Sequence, residues 1–142
     1  TFYDLDAGIE KRFNLTIKEI FKEYGEEKFR EVESILLAET GNLVNSIIST
    51  GGGIVISNTN REFLKKKRLY FLNNSVEILF ERATKKREQR PLLKGITFYE
   101  FKSIYKNRMK LYQECANITI NTENKSINET VEEISNHEKF SF

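Results

Sequence analysis

The sequence predicts an α/β fold of three layers, in which a parallel β-sheet is flanked by helices. Short segments rich in β-branched and aromatic residues alternate with longer segments in which apolar residues recur every three or four positions. This alternation is typical of strands and amphipathic helices that follow one another in α/β proteins. The segment Val44–Ile48 is interpreted as a strand buried in the sheet, because its apolar residues do not alternate strictly with polar ones.

Four strands are predicted, at about Thr1–Asp4, Val44–Ile48, Leu69–Leu72 and Ile118–Ile120. Four helices open with the capping-box pattern, in which a short polar residue is followed three positions later by a glutamate. These pairs are Thr16–Glu19, Asn74–Glu77, Thr97–Glu100 and Ser126–Glu129. The helix after Thr97 is expected to end near Cys115, and a short helix is expected near Asn60–Lys66.

Gly25 is expected to end the helix that opens at Thr16, and a further helix is predicted over about Glu26–Ala38. Four apolar residues of this further helix are expected to turn inward: Phe29, Val32, Ile35 and Leu36. The last helix is expected to use Ile127, Val131 and Ile134 in the same way. The whole chain, 1–142, is interpreted as one domain, with a lid at about 84–97 and a flexible tail at 135–142.

Composition excludes several classes of protein. The chain has 142 residues, of which 39% are hydrophobic, and a net charge of +2, too small to indicate a nucleic-acid partner by itself. Its single cysteine, Cys115, excludes an intrachain disulfide. No apolar run approaches the roughly 20 residues that a transmembrane helix needs. With no export signal at the start, we expect a cytoplasmic protein without a membrane partner.

Two carboxylates stand at the end of the first predicted strand. Asp4 and Asp6 are two positions apart, so on a strand both would leave the same side. At the carboxyl end of a parallel sheet, one carboxylate could hold Mg²⁺ and the other could accept a proton from a hydroxyl group. The alternative is that they cap the next turn, and spacing alone does not separate the two interpretations.

The three glycines Gly51, Gly52 and Gly53 follow the second predicted strand. They remove every side chain at a point where a ligand could approach the backbone, and they permit backbone angles closed to other residues. Glycine clusters are also common in plain loops, so the motif by itself is a weak signal.

Several arginines are candidates for gripping an anion. Arg30 and Glu33 are three positions apart on a helix and could form an ion pair that fixes the guanidinium, although an exposed ion pair of little consequence is favoured on spacing alone. Arg108 is unusual because it lies in an apolar helical stripe with Tyr112. Arg90 precedes a proline in a basic loop that suits a mobile lid, and Arg82 could edge a nucleotide site.

These motifs, in this order, resemble those of the shikimate kinase family. The resemblance runs from Thr1 to about Ile134 and is carried by Asp4-Leu5-Asp6-x-x-Ile9-Glu10, Phe29-Arg30-x-x-Glu33, Gly51-Gly52-Gly53, Arg90-Pro91-Leu92-Leu93 and Arg108. It implies a nucleoside-monophosphate-kinase-like fold with parallel strand order 2-3-1-4-5. It also implies transfer of the γ-phosphate of ATP to the 3-hydroxyl of shikimate with Mg²⁺, in aromatic amino-acid (chorismate) biosynthesis, by a monomer.

The resemblance implies roles on the acceptor side of the site. Asp6 would contact the shikimate hydroxyls and orient or deprotonate the attacking one. Arg30 and Arg108 would grip the shikimate carboxylate, and Glu33 would support Arg30. The amides of Gly51–Gly53 would line the shikimate pocket.

The resemblance also implies roles on the nucleotide side. Asp4 would hold Mg²⁺, Arg82 would lie against the adenine, and Arg90 would close with the lid onto the transferring phosphate. Phosphoryl transfer depends mainly on positioning and on neutralising charge, which these groups would supply.

The sequence departs from the family at two places. Leu5 stands where the family usually has a small hydroxylated residue. The phosphate-loop motif G-x-x-x-x-G-K-[ST], which precedes the Asp-x-Asp strand in the family, does not occur in the sequence. We therefore expect a fragment that lacks the central strand and folds poorly, and that is inactive until upstream residues with such a loop are restored.

Three alternatives are kept open. The first is a binding module that retains the shikimate-gripping arginines without catalysis. The second is a kinase of the same fold for another small hydroxy acid. The third is a nucleic-acid binder that uses the basic runs Lys65–Arg68 and Lys85–Arg90, which the small net charge disfavours.

Overall fold

The computed structural model describes residues 1–85 and 91–139. Its strands are β1 (Phe2–Asp4), β2 (Ile47–Ser49), β3 (Tyr70–Asn73) and β4 (Ile118–Asn121). Its α-helices are α1 (Leu5–Phe13), α2 (Ile17–Glu39), α3 (Asn58–Leu64), α4 (Val76–Lys85), α5 (Phe98–Cys115) and α6 (Ile127–Lys139). Short 3₁₀ helices are formed by Thr40–Asn42, Ile54–Ile56 and Pro91–Leu93.

The strands form two parallel pairs. β1 pairs with β2 so that Asp4 faces Ser49, and β3 pairs with β4 so that Asn73 faces Asn121. All four predicted strands are therefore present, each within a few residues of its expected bounds. If the chain's first strand is counted as strand 2, the two pairs are the neighbours 2-3 and 4-5 of the expected order. The three-layer α/β prediction is confirmed.

Capping boxes open three of the helices, as predicted. Glu19 accepts hydrogen bonds from the amide and hydroxyl of Thr16, and Glu100 does the same for Thr97 at the start of α5. The third box is formed by Ser126 and Glu129. Each box satisfies amides that the first helical turn leaves without a partner.

The side chain of Asn74 forms hydrogen bonds that differ from those of the helix cap predicted with Glu77. Its side-chain amide donates to the Thr122 hydroxyl at 3.0 Å, and its side-chain oxygen accepts from the Ser75 amide at 2.8 Å. Asn74 is buried, so these two bonds satisfy polar groups that would otherwise be costly. It therefore links the ends of β3 and β4.

Gly25 interrupts α2 where the sequence predicted a helix end. Its backbone has φ 79° and ψ 174°, and the segments before and after it are both helical. The positive φ explains why glycine is needed here. The prediction of two successive helices is confirmed, and they meet at a kink.

Helix α1 was not predicted, and it corrects the account of the two aspartates. Asp4 is the last residue of β1 and the N-cap of α1, where its Oδ1 accepts from the Ala7 amide at 2.9 Å. Asp6 lies in the first turn of α1. The two carboxylates are therefore not placed on one side by strand alternation, and the capping interpretation is correct for Asp4.

The main core forms between α1, α2, α3 and the 3₁₀ helix that follows the glycines. Its most buried apolar side chains include Leu5, Ile9, Ile20, Leu37 and Val55. Two predictions of inward-facing residues are wrong. Ile35 is exposed and Leu37 is buried instead. Val44 is 82% exposed and Ile47 is 72% exposed, so Val44–Ile48 is not a buried strand.

Helix α6 differs from its predicted packing. Ile127 and Val131 are exposed, and Thr130 is the buried residue of the helix. Residues 135–139 of the predicted tail continue α6, and Glu138 accepts hydrogen bonds from Arg68 and Tyr70 near the start of β3. Residues 140–142 lie outside the described residues. The flexibility of 135–142 and the lid at 84–97 stay predictions.

None of the helices in the described ranges has both the length and the apolar character needed to cross a bilayer.

Candidate functional site

The site lies where β1 and β2 end, because parallel strands place their carboxyl ends at the same edge of a sheet. Asp6 follows β1 and the triple-glycine turn, Gly51–Gly53, follows β2. A Cβ atom added to Gly51 would lie 3.6 Å from the Asp6 Oδ1 and 3.7 Å from the Glu33 Oε1. The turn therefore brings together acidic groups from α1 and α2.

Arg30 and Glu33 form a partly buried ion pair on α2. The Arg30 Nη1 lies 2.9 Å and 2.8 Å from the two carboxylate oxygens of Glu33. The Glu33 side chain is 2% exposed and that of Arg30 is 23% exposed. Burial raises the pKa of Glu33, and the hydrogen bond and charge of Arg30 oppose the rise. The exposed pair favoured from spacing alone is therefore wrong, because the Glu33 carboxylate is buried beside the glycine turn.

Gly53 leaves room for the Arg30 guanidinium. A Cβ atom at Gly53 would lie 2.6 Å from the Arg30 Cζ, closer than carbon atoms can approach. None of the three glycines has a positive φ. The sequence analysis gave two reasons for glycine here, and the structure uses only one, the missing side chain.

Arg108 of α5 contributes the second guanidinium. It is half-buried, and its charge acts on Glu33 and on Tyr112, lowering the pKa of each against the rise caused by burial. The effect of a charge weakens as the separation grows, so a charge that acts on both groups lies in their neighbourhood. The structure therefore brings Arg108 to the same cluster as Arg30, Glu33 and Asp6, although they come from three helices.

Tyr112 belongs to this cluster and was missed as a site residue. Its hydroxyl donates to the Gly52 carbonyl oxygen at 2.7 Å. Its ring stacks on Phe71 of β3, with centroids 4.8 Å apart. The sequence analysis counted it among the apolar neighbours of Arg108. The available signal was its position one helical turn after Arg108, which places both side chains on one face.

Asp4 fits a magnesium site only in part. One carboxylate oxygen caps α1, which leaves the other for a further contact. The described residues contain no group of three or more His, Cys, Asp or Glu side chains that could hold a metal ion by themselves. Mg²⁺ commonly uses one or two carboxylates together with water and substrate phosphates, so a single carboxylate is compatible with it.

The nucleotide-side residues are less defined. Arg82 is exposed on the last turn of α4, and nothing in its surroundings tests its expected contact with adenine. Arg90 lies outside the described residues. Both assignments stay predictions.

The acceptor-side cluster suits a small anion that carries hydroxyl groups. Two guanidinium groups can bind a carboxylate through paired hydrogen bonds. A carboxylate such as Asp6, exposed at the edge of the turn, can bind or deprotonate a hydroxyl. Bare glycine backbone allows the ligand to lie close to the chain.

Comparisons with known proteins agree with this geometry. A sequence model described as shikimate kinase matches residues 1–138. A shikimate kinase of Dictyoglomus turgidum is 40% identical over 137 residues, which cover 94% of this chain and 79% of that protein. A shikimate kinase of Clostridium botulinum is 42% identical over 121 residues, covering 84% and 71%.

Solved structures give the same result. The chain matches a shikimate kinase of Acinetobacter baumannii in complex with shikimate at a TM-score of 0.87 and 31% identity, covering 99% of this chain and 78% of that one. It matches a shikimate kinase of Aquifex aeolicus at a TM-score of 0.83 and 34% identity, covering 97% and 80%. The chain therefore belongs to the shikimate kinase family, whose members are phosphotransferases that use ATP and Mg²⁺.

Proposed function

We propose that the cluster around the triple-glycine turn is the site where shikimate binds as phosphate acceptor. Arg30 and Arg108 bind its carboxylate, and Glu33 holds Arg30 in place. The backbone of Gly51–Gly53 lines the pocket, and Asp6 contacts the hydroxyl groups. Family membership supplies ATP as donor and Mg²⁺ as metal; the residue assignments are the proposal.

The arrangement of Gly53, Arg30 and Glu33 is the observation that supports this proposal most. The guanidinium occupies the space that a side chain at Gly53 would fill, and it donates to the Glu33 carboxylate, whose side chain is 2% exposed. A surface ion pair needs neither feature, because both groups would sit in water. Positioning of this kind is typical of binding sites, where an oriented cation loses less freedom when it binds an anion.

Asp6 acts as the proton acceptor in the proposed reaction. The shikimate 3-hydroxyl gives its proton to the Asp6 carboxylate as its oxygen bonds to the γ-phosphorus. The bond from that phosphorus to the β–γ bridging oxygen breaks, and ADP leaves with the electron pair. Asp6 follows the N-terminus of α1 immediately, so its position is fixed by a helix and not by a loop.

The donor side follows from the same proposal. The Asp4 oxygen that does not cap α1 would contact Mg²⁺, directly or through water, and the metal would offset phosphate charge. Arg82 would lie against the adenine, and Arg90 would approach the transferring phosphate when the lid at 84–97 closes.

Calorimetric titration with shikimate, and with an analogue that lacks its carboxylate, tests the acceptor assignment. Replacing Arg30→Met removes the charge and the hydrogen-bond donors and keeps an unbranched apolar stem. We expect it to weaken shikimate binding by about thirtyfold or more, since truncating one member of a desolvated charge pair costs at least about 2 kcal/mol. The analogue should bind wild type and variant equally. Arg12→Met is the control, because Arg12 forms an exposed ion pair with Glu39.

Asp6→Asn should retain shikimate binding and, in a protein extended upstream by residues with a phosphate loop, should reduce phosphate transfer by roughly 10²–10⁴-fold, the contribution typical of a proton acceptor. If Arg30→Met lost equal affinity for shikimate and for the analogue, the assignment of Arg30 to the shikimate carboxylate would be contradicted. If the protein binds another small hydroxy acid tightly and does not bind shikimate, that acid is the acceptor instead of shikimate.

We also propose a cytoplasmic monomer that binds neither nucleic acid nor membranes. The small net charge and the buried state of the single cysteine support this. Sedimentation equilibrium at micromolar concentration should give the mass of one chain.

A further inference from the structure

We propose that Tyr112 is a positioning residue for the acceptor, because its hydroxyl fixes the triple-glycine turn and the Arg108 guanidinium relative to each other. The proposal rests on the proposed function, since it concerns the same shikimate site. It gives a defined task to a residue that the sequence placed only in the apolar stripe of α5.

The first contact of Tyr112 is with the turn. Its hydroxyl donates to the Gly52 carbonyl oxygen at 2.7 Å, and a Cβ atom at Gly52 would lie only 3.0 Å from that hydroxyl. The turn therefore approaches α5 closely only because residue 52 has no side chain. In a planar trans peptide, the carbonyl and the following N–H point in opposite directions. Holding the Gly52 carbonyl toward α5 thus directs the Gly53 N–H away from α5.

Arg108 lies one helical turn before Tyr112 on α5, so the two side chains share a face of the helix. Burial raises the pKa of Tyr112, while hydrogen bonding to Arg108 and the charges of Arg108 and Arg30 lower it. A phenol can donate one hydrogen bond and accept another, whereas a guanidinium only donates. One oxygen can therefore donate to the Gly52 carbonyl and accept from Arg108 at the same time. Phenylalanine would lose the bond to the Gly52 carbonyl and the oxygen available to Arg108, and it would keep the ring.

The Tyr112 ring is held in place by packing. It stacks on Phe71 of β3 with an angle of 26° between the planes, and it packs against the main core. The hydroxyl is thus presented by a ring that has little freedom to turn. This matters because a bond from a mobile side chain would restrain neither the turn nor the arginine.

Simple anchoring of α5 is the competing explanation. Tyr105 also lies on α5, and its hydroxyl donates to the Asn73 side-chain oxygen at 2.5 Å at the end of β3. It contacts no glycine of the turn in this structure. Tyr105→Phe therefore removes one hydroxyl hydrogen bond from the same helix, at a contact with β3 instead of the glycine turn, and it serves as a matched control.

The test measures shikimate affinity by calorimetry for wild type, Tyr112→Phe and Tyr105→Phe, each with shikimate and with the analogue lacking the carboxylate. We expect Tyr112→Phe to weaken shikimate binding about fivefold, the effect of one or two modest hydrogen bonds. The analogue should lose less than twofold, because it does not engage Arg108. Tyr105→Phe should leave the affinity for both ligands unchanged.

The proposal would be overturned in favour of simple anchoring if Tyr112→Phe lost equal affinity for shikimate and for the analogue. It would also be overturned if Tyr112→Phe and Tyr105→Phe lost equal affinity for shikimate. Unchanged shikimate affinity in Tyr112→Phe would also overturn it. The proposed function fails separately, if Arg30→Met binds shikimate as wild type does. If Tyr112→Phe does not fold, Gly52→Ala tests the same contact from the glycine side.

In Gly52→Ala, the added methyl group pushes the Tyr112 hydroxyl away from the turn. Shikimate should then lose more affinity than the analogue, by a factor of about five. A loss that is equal for both ligands would show that the methyl group merely fills the pocket, and it would count against the proposal.

Discussion

The two halves of the chain hold their site residues in different ways. The first half, residues 1–64, contains nearly all of the main core, and its Glu33 is buried beside Arg30. The second half, residues 69–85 and 91–139, contributes only Cys115 to the fully buried part of that core. Its helix α6 leaves Ile127 82% exposed and Val131 54% exposed. The second half nevertheless supplies Arg108.

This difference shows that one site can combine two means of positioning. Arg30 is fixed by close packing, because it pairs with the buried Glu33 carboxylate and fills the space that a side chain at Gly53 would occupy. Arg108 is placed by contacts along α5, in which Tyr112 reaches across to the glycine turn. Changes to the core should therefore act first on the first half, and changes to single hydrogen bonds should act on the placement of α5.

The largest expected effect separates the two halves by stability. Ile9→Ala, in α1, should lower the free energy of unfolding by about 3 kcal/mol, since Ile9 is fully buried and its loss leaves a cavity. Ile127→Ala is the matched substitution in α6 and should change it by no more than about 0.5 kcal/mol, since that side chain is 82% exposed. Urea unfolding followed by circular dichroism measures both.

A loss of similar size in the two variants would break the comparison. It would mean that Ile127 is covered in solution by something that the described residues do not include. A small loss in Ile9→Ala alone would instead show that α1 repacks easily, and the fixed placement of Asp6 at its first turn would then be in doubt.

An intermediate effect is expected at Gly53. In Gly53→Ala the new methyl group must displace the Arg30 guanidinium, whose Cζ would be 2.6 Å away. We expect shikimate affinity to fall by about tenfold, or about 1.4 kcal/mol, because the guanidinium would lose its alignment with Glu33. Gly41→Ala is the control, since its Cβ would meet Phe63, at 3.3 Å, and none of the site residues.

Calorimetry with shikimate again provides the measurement. Unchanged affinity in Gly53→Ala would show that the Arg30–Glu33 pair yields to the methyl group. The first half would then not hold Arg30 by rigid packing, and both arginines would depend on hydrogen bonds alone.

Much of the fold could be predicted because local signals agreed with the final structure. The capping boxes that begin at Thr16, Thr97 and Ser126 mark the starts of helices. Their hydrogen bonds join residues only three positions apart, so the residue types can be recognised in the sequence. Helix α1 was missed because it begins directly after β1, with no turn between them. Only two of its residues, Leu5 and Ile9, are buried, so its apolar periodicity is weak.

Other errors came from properties that only the tertiary structure fixes. Val44–Ile48 contains Asn45 and Ser46, and the structure exposes Val44 and Ile47, which shows that a cluster of apolar residues does not by itself establish burial. The acceptor-side residues were identified through their order along the chain. Tyr112 was missed because a tyrosine in an apolar stripe is usually interpreted as core.

The smallest expected effect tests whether the halves unfold together. Hydrogen bonds from Thr16 lower the pKa of Glu19, and those from Thr97 lower the pKa of Glu100. A carboxyl group whose pKa is lowered by folding stabilises the protein above its unfolded value and loses that contribution as the pH falls through the folded value. Below about pH 4.5, wild type should therefore lose slightly more stability than either Glu19→Gln or Glu100→Gln, because the glutamine side chain that replaces each glutamate does not titrate.

The difference should be a small fraction of the Ile9→Ala effect, and it is measured by urea unfolding at pH 5.5 and pH 3.5. Because Tyr112 and Cys115 join α5 to the main core, we expect both variants to shift one common transition. A separate transition that responds to Glu100→Gln and not to Glu19→Gln would show that the second half unfolds by itself. Arg108 could then leave the site while Arg30 stays in place, and acceptor affinity would depend on the local stability of α5.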